Sequence, residues 1–171
     1  MSKEKTNVVL IGMPGCGKST IGVLLAKRLG LAFVDTDLLI QKSKGMSLCE
    51  LIETRGMDDF CEIECEHNKK LDVSETVIAT GGSVVYYDCS MRHYQANGTI
   101  VYLYLPEPEL SRRLGNLNER GVVLEPGQTL ADLYEERTPL YEQWADIRVD
   151  LSGLGHEACV EAILKKLTEI S

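Results

Sequence analysis

No apolar run in this 171-residue chain approaches the roughly 20 residues that a helix needs to cross a bilayer. The opening Met1-Ser2-Lys3-Glu4-Lys5-Thr6 lacks the apolar segment of a secretion signal, so a cytoplasmic protein is expected. Positive charge is scarce as well. Eighteen Lys and Arg stand against 26 Asp and Glu, a formal net charge of -8. General affinity for nucleic acid or an anionic membrane needs clustered cations, so neither is an expected partner and any cation site must be local. There is no internal repeat, low-complexity tract or interdomain linker. A chain of this length with 44% hydrophobic residues therefore reads as one domain, 1–171, around one sizeable core. Cys16, Cys49, Cys61, Cys65, Cys89 and Cys159 could in principle form a framework, but a chain of this size without a secretion signal folds without disulfides, and they read as reduced. Cys61 and Cys65 lie four apart beside His67 with no second Cys or His pair at ligand spacing, which reads as packing and not as a metal site.

What is present in force is one phosphate-binding loop. Gly12-Met13-Pro14-Gly15-Cys16-Gly17-Lys18-Ser19-Thr20 follows the apolar run Val8-Val9-Leu10-Ile11 and precedes a helical pattern, Ile21 to Leu29. Glycines let successive backbone N–H groups turn toward phosphate oxygens, and the helix N-terminus adds the positive end of its dipole. Lys18 is then placed for the β- and γ-phosphates of ATP, and the Ser19 hydroxyl for the Mg²⁺ that bridges them. Cys16 sits inside the loop, where a small loop-filling side chain is the simplest role.

Apolar runs and helical patterns alternate throughout. They predict strands near 7–12, 32–36, 76–80, 99–105 and 147–151, with helices near 17–29, 38–43, 47–54, 58–72, 88–96, 107–114, 128–144 and 155–168. This order predicts a parallel five-stranded α/β fold with helices on both faces and ligands beyond the carboxyl ends of the strands. The stretch 115–127 is rich in Gly and Asn and carries Arg120. It reads as a lid that excludes water from phosphoryl transfer, with Arg120 against the transferring phosphate.

Two further strand ends carry chemistry. Phe33-Val34-Asp35-Thr36-Asp37 supplies two carboxylates, one to help hold Mg²⁺ and one to orient or deprotonate an attacking hydroxyl. Val77 to Thr80 ends in Gly81-Gly82-Ser83, whose missing side chains permit a small ligand close to the backbone. Arg112, Arg113 and Arg137 complete the cations of interest. The sequence Asn68-Lys69-Lys70-Leu71 has Leu where a guanine-reading aspartate would stand, which argues against a GTPase.

In order and spacing these segments resemble the shikimate kinase family across nearly the whole chain. The resemblance rests on Gly12 to Thr20, Phe33 to Asp37 with Ile40, Gly81-Gly82, Arg120, and Arg137-Thr138-Pro139-Leu140-Tyr141 followed by Ala145-Asp146. It implies a three-layer α/β/α P-loop kinase fold with strand order 2-3-1-4-5, acceptor-binding helices at about 38–72, and a monomer. It further implies MgATP as donor and phosphorylation of the shikimate 3-hydroxyl in aromatic amino-acid biosynthesis. By position, Asp37 would activate the acceptor hydroxyls, Gly81 and Gly82 would contact the ring substituents, and Arg137 would bind the carboxylate. Ser19 and Asp35 would serve Mg²⁺, Arg113 would lie against adenine, and Arg120 would close over the phosphates.

The acceptor half departs from the family pattern. Cys61 follows Phe60 where the family has a carboxylate-clamping arginine, Gln41 stands for a glutamate, Ser83 for a third glycine, and Arg120-Gly121-Val122-Val123 for Arg-Pro-Leu-Leu. The leading expectation is a shikimate kinase. The alternatives are a kinase of the same fold for another small hydroxylated acceptor, suited by a neutral pocket around Cys61, and a catalytically weak nucleotide-binding regulator.

Overall fold

A computed structural model describes residues 4–115, 122 and 124–171. Its sheet has five parallel strands: β1 (Asn7–Ile11), β2 (Ala32–Asp35), β3 (Thr76–Ala79), β4 (Gly98–Tyr104) and β5 (Ile147–Asp150). Their spatial order, β2-β3-β1-β4-β5, is the expected 2-3-1-4-5. β1 and β3 are buried at every position, as central strands covered on both faces must be. Val8, Val9 and Leu10 of β1 pair with Val77, Ile78 and Ala79 of β3, and Leu10 lies opposite Val101 of β4.

Among the described residues the helices are α1 (Lys18–Leu29), α2 (Thr36–Lys44), α3 (Leu48–Lys70), α4 (Asp88–Asn97), α5 (Glu107–Leu114), α6 (Leu130–Trp144) and α7 (His156–Ile170), with a 3-10 turn at Val84–Tyr86. Gly22 seats α1 on the sheet, because a Cβ there would lie 2.6 Å from the Phe33 ring of β2. α3 contains the two helices expected at 47–54 and 58–72, joined through Gly56, whose φ of 83° and ψ of 167° are not helical. Ser47 and Glu50 close its start as a reciprocal capping box. Ile40, Leu51 and Phe60 form a small apolar cluster of their own where α2 meets α3, apart from the main core on the sheet.

The expectation that every cysteine is reduced is corrected. Cys65 of α3 and Cys89 of α4 form a disulfide across 24 residues, while Cys16, Cys49, Cys61 and Cys159 are free. The pairing follows from the packing of α3 against α4, which Tyr94 also joins by donating to Asn68 Oδ1 at 2.7 Å. Sequence spacing carried no trace of that contact. Among the described residues no helix is long and apolar enough to cross a membrane.

Candidate active site

The loop between β1 and α1 folds as its glycines require. Gly12, Gly15 and Gly17 all have positive φ, and a Cβ on Gly12 would lie 2.8 Å from the Leu103 carbonyl oxygen. Side chains at these positions would therefore collide or strain the turn. Lys18 is buried and donates to the Gly12 and Met13 carbonyls at 2.7 and 3.0 Å, so its amine is held inside the loop's own curve. Cys16 is fully buried, which leaves its backbone and not its thiol to the loop's outer surface.

The carboxyl end of β2 meets this loop. Asp35 Oδ2 accepts from the Ser19 hydroxyl at 2.5 Å, and Asp35 Oδ1 caps α2 by accepting from Leu38 N at 3.1 Å. One side chain thus serves both the helix cap and the loop. Ser19 and Asp35 are adjacent hard oxygen donors, the type that suits Mg²⁺. No group of three or more His, Cys, Asp or Glu that could hold a metal occurs among the described residues. Asp37, in the first turn of α2, faces the cavity, and its pKa is pushed up to about 6. Burial is the main cause and the Asp35 charge adds to it, with Lys18 opposing.

One cavity of about 680 Å³ joins these groups to the acceptor end. Pro14, Lys18, Ser19 and Thr20 line it on the loop side, and Asp37, Gly81, Gly82 and Arg137 on the other. Phe60, Ile52 and Met57 of α3 and Leu48 at its start supply an apolar wall. Arg137 is buried on α6. Its Nε donates to the Tyr86 hydroxyl at 3.2 Å, its guanidinium lies over the Tyr86 ring, and Nη1 is 2.9 Å from where a Cβ on Gly82 would stand. Tyr141 donates to the Gly82 carbonyl at 2.6 Å, which fixes the backbone that Arg137 leans on.

The most consequential group that sequence reasoning missed is Glu64 of α3. It is 1% exposed, accepts from the Ser83 hydroxyl at 2.8 Å through Oε2, and leaves Oε1 with no hydrogen-bond partner. Its pKa is pushed up to about 7, chiefly by burial. A signal was available, since Glu64 lies one turn from Phe60 on the buried face of α3, where a charged residue is out of pattern. Ser83, a departure from the family pattern, is therefore the partner of a buried carboxyl.

The remaining residues singled out in the sequence are placed as follows in the fold. Arg113 is on α5, outside the cavity lining, paired with Glu109 at 2.9 Å. Cys61 is half-buried on α3, beside the Tyr87 phenol whose proton it helps retain, and is not among the residues that line this cavity. Gln41 lines the cavity and accepts from Leu48 N at 3.2 Å, joining α2 to α3. Arg120 and most of the expected lid lie outside the described residues.

The sequence model of the shikimate kinase family matches residues 14–168. The shikimate kinase of Thermodesulfovibrio yellowstonii is 38% identical over 168 residues, covering 96% of either chain. Threonine synthase-like 1 of Macaca fascicularis is 34% identical over 94% of this chain, which spans 22% of that protein. Among solved structures, the shikimate kinase from Acinetobacter baumannii in complex with shikimate superposes with a TM-score of 0.90 at 28% identity, covering 99% of this chain and 96% of that one.

Proposed function

The chain belongs to the shikimate kinase family, and from that premise we propose that it transfers the γ-phosphoryl group of ATP to the 3-hydroxyl of shikimate. The observation that carries this reading is the convergence of Lys18, Ser19, Asp37, Gly81, Gly82 and Arg137 on one cavity from four separate chain segments. The match to a relative with shikimate bound supports the acceptor.

Asp37 orients the attacking hydroxyl and takes its proton. Arg137, held by Tyr86 and backed by the Gly82 backbone, binds the carboxylate. Lys18 stabilises charge on the transferring phosphoryl group, and the loop's backbone N–H groups hold the phosphates in place. Ser19 and Asp35 would hold Mg²⁺, which neutralises charge between the β- and γ-phosphates when bound. Positioning and charge stabilisation supply the acceleration. Under this reading the enzyme works in the cytoplasm as a monomer, with neither nucleic acid nor membrane as partner.

A second reading has one observation in its favour. Position 61 holds a cysteine and not an arginine, and Arg137 is the one arginine lining the acceptor end among the described residues. A bidentate Arg–carboxylate contact is worth roughly 1.5–3 kcal/mol. The missing partner would therefore favour an acceptor that makes less demand on a carboxylate clamp. A coupled ADP-release assay with MgATP decides between the two, run on the native chain and on Cys61→Arg with shikimate and a panel of small hydroxy acids and polyols. Shikimate-dependent release by the native chain is the expected result. Release only with another acceptor, or only after Cys61→Arg, would transfer the assignment to the second reading.

A further inference from the structure

Glu64 is a buried ionisable group with half of its hydrogen-bonding capacity unused, and the mechanism above does not employ it. Its Oε2 is satisfied by Ser83, whereas Oε1 is closed to solvent and meets no donor. A buried carboxylate oxygen without a donor is unfavourable, and the simplest relief is a proton on that oxygen. The proton then needs an acceptor. A Cβ built on Gly81 would lie 2.7 Å from Asp37 Oδ1 and 2.9 Å from Glu64 Oε1, so the two carboxyl oxygens face the same point above the Gly81 Cα. Only a glycine at position 81 lets them do so.

We propose that Glu64 is a positioning residue: its carboxyl keeps a proton on Oε1 and directs it at Asp37 Oδ1, holding the base's carboxylate in line for the acceptor hydroxyl. This rests on Asp37 being the base in the kinase reading. The arrangement belongs to this chain because position 61, one turn before Glu64 on α3, holds an uncharged cysteine, and no cation neutralises Glu64 from there. The groups facing Glu64 are Asp37 from α2, Arg137 from α6, Tyr94 from α4, Tyr87 just before α4, and Ser83 after β3. Asp37 and burial favour the proton, while Arg137 and the Ser83 hydroxyl oppose it, in agreement with a carboxyl that titrates at about 7.

The test compares Glu64→Gln and Glu64→Leu with the native enzyme from pH 5.5 to 9, measuring kcat and KM for acceptor and ATP separately. In the native enzyme, kcat falls about tenfold per pH unit above about 7 as the positioning proton is lost. Gln carries an N–H donor in the same place at every pH, so Glu64→Gln keeps kcat within a few-fold at pH 6.5 and stays flat to pH 9. Glu64→Leu loses at least tenfold in kcat against the native enzyme at pH 6.5 and shows no alkaline limb, with KM for ATP unchanged. A purely structural role would leave the alkaline limb in Glu64→Gln, and that result overturns the proposal. If Glu64→Leu does not fold, the native and Gln profiles decide alone. If the native enzyme turns over no acceptor at all, the kinase reading fails separately. Carbon-13 NMR titration of the Glu64 carboxyl, assigned with Glu64→Gln, then decides: titration near 7 sustains the held proton, and titration in the ordinary carboxylate range ends the proposal.

Discussion

Replacing Gly81 with alanine tests the acceptor site at its tightest point. Gly81 does not have the positive φ that disfavours a side chain, so the backbone accepts alanine and the whole effect comes from the added methyl. That methyl would stand 2.7 Å from Asp37 Oδ1 and 2.9 Å from Glu64 Oε1, against ordinary contact from 3.4 Å. Relief requires a gap of about 0.7 Å more to Asp37 and about 0.5 Å more to Glu64. Glu64 is enclosed and tied to Ser83, so the methyl is driven toward the half-buried Asp37, which makes most of the retreat. A misplacement near 1 Å at a reacting group costs about 10²-fold. We therefore expect kcat/KM for the acceptor to fall about 10- to 100-fold, equivalent to roughly 1.4–2.7 kcal/mol of transition-state stabilisation. ATP affinity, set by the loop at Gly12–Thr20, should stay within about twofold, since nothing in that loop meets the new methyl. Coupled ADP release with acceptor and ATP varied in turn, together with a thermal melt, makes the measurement. A folded Gly81→Ala enzyme with native kcat/KM for the acceptor would refute the placement of the acceptor over Gly81.

Asp37→Asn should reduce kcat by orders of magnitude with ATP affinity nearly unchanged, measured by single-turnover phosphoryl transfer and nucleotide titration; retained turnover would remove Asp37 from the mechanism. Glu64 also makes stability depend on pH. Its folded pKa of about 7 lies above the ordinary 4.5, so the folded state binds the proton more tightly. Its stabilising contribution is complete below about 4.5 and is lost as pH rises through about 7. At 1.36 kcal/mol per unit this is on the order of 3 kcal/mol. Urea unfolding of the native protein and Glu64→Gln should give a difference that shifts in favour of the Gln variant by that order between pH 4.5 and 8. A constant difference would show that Glu64 is not buried as described.

The fold was legible because its signals are local and repeated. Val8 to Ile11, Val77 to Ala79 and Ile100 to Leu103 are apolar without alternation, as strands covered on both faces must be, and the helical patterns between them impose parallel crossovers. The phosphate loop was legible for the same reason: Gly12, Gly15 and Gly17 mark positions whose backbone excludes other residues. The Cys65–Cys89 bond was not legible, because it depends on which face of α3 turns toward α4, and the signal at Glu64, one turn from Phe60, did not say what the carboxyl would meet.

The sequence by itself therefore determined the parallel α/β architecture and the phosphate loop, since backbone geometry and hydrophobic period are written residue by residue, while the strand order came only with the family resemblance. Tertiary structure alone decided that Cys61 stays off the cavity lining, that Ser83 donates to Glu64, and that Glu64 and Asp37 both approach the space above the Gly81 Cα. Those contacts join α2, α3 and the segment after β3, and a carboxyl's proton affinity is set by the distance and burial that such packing creates.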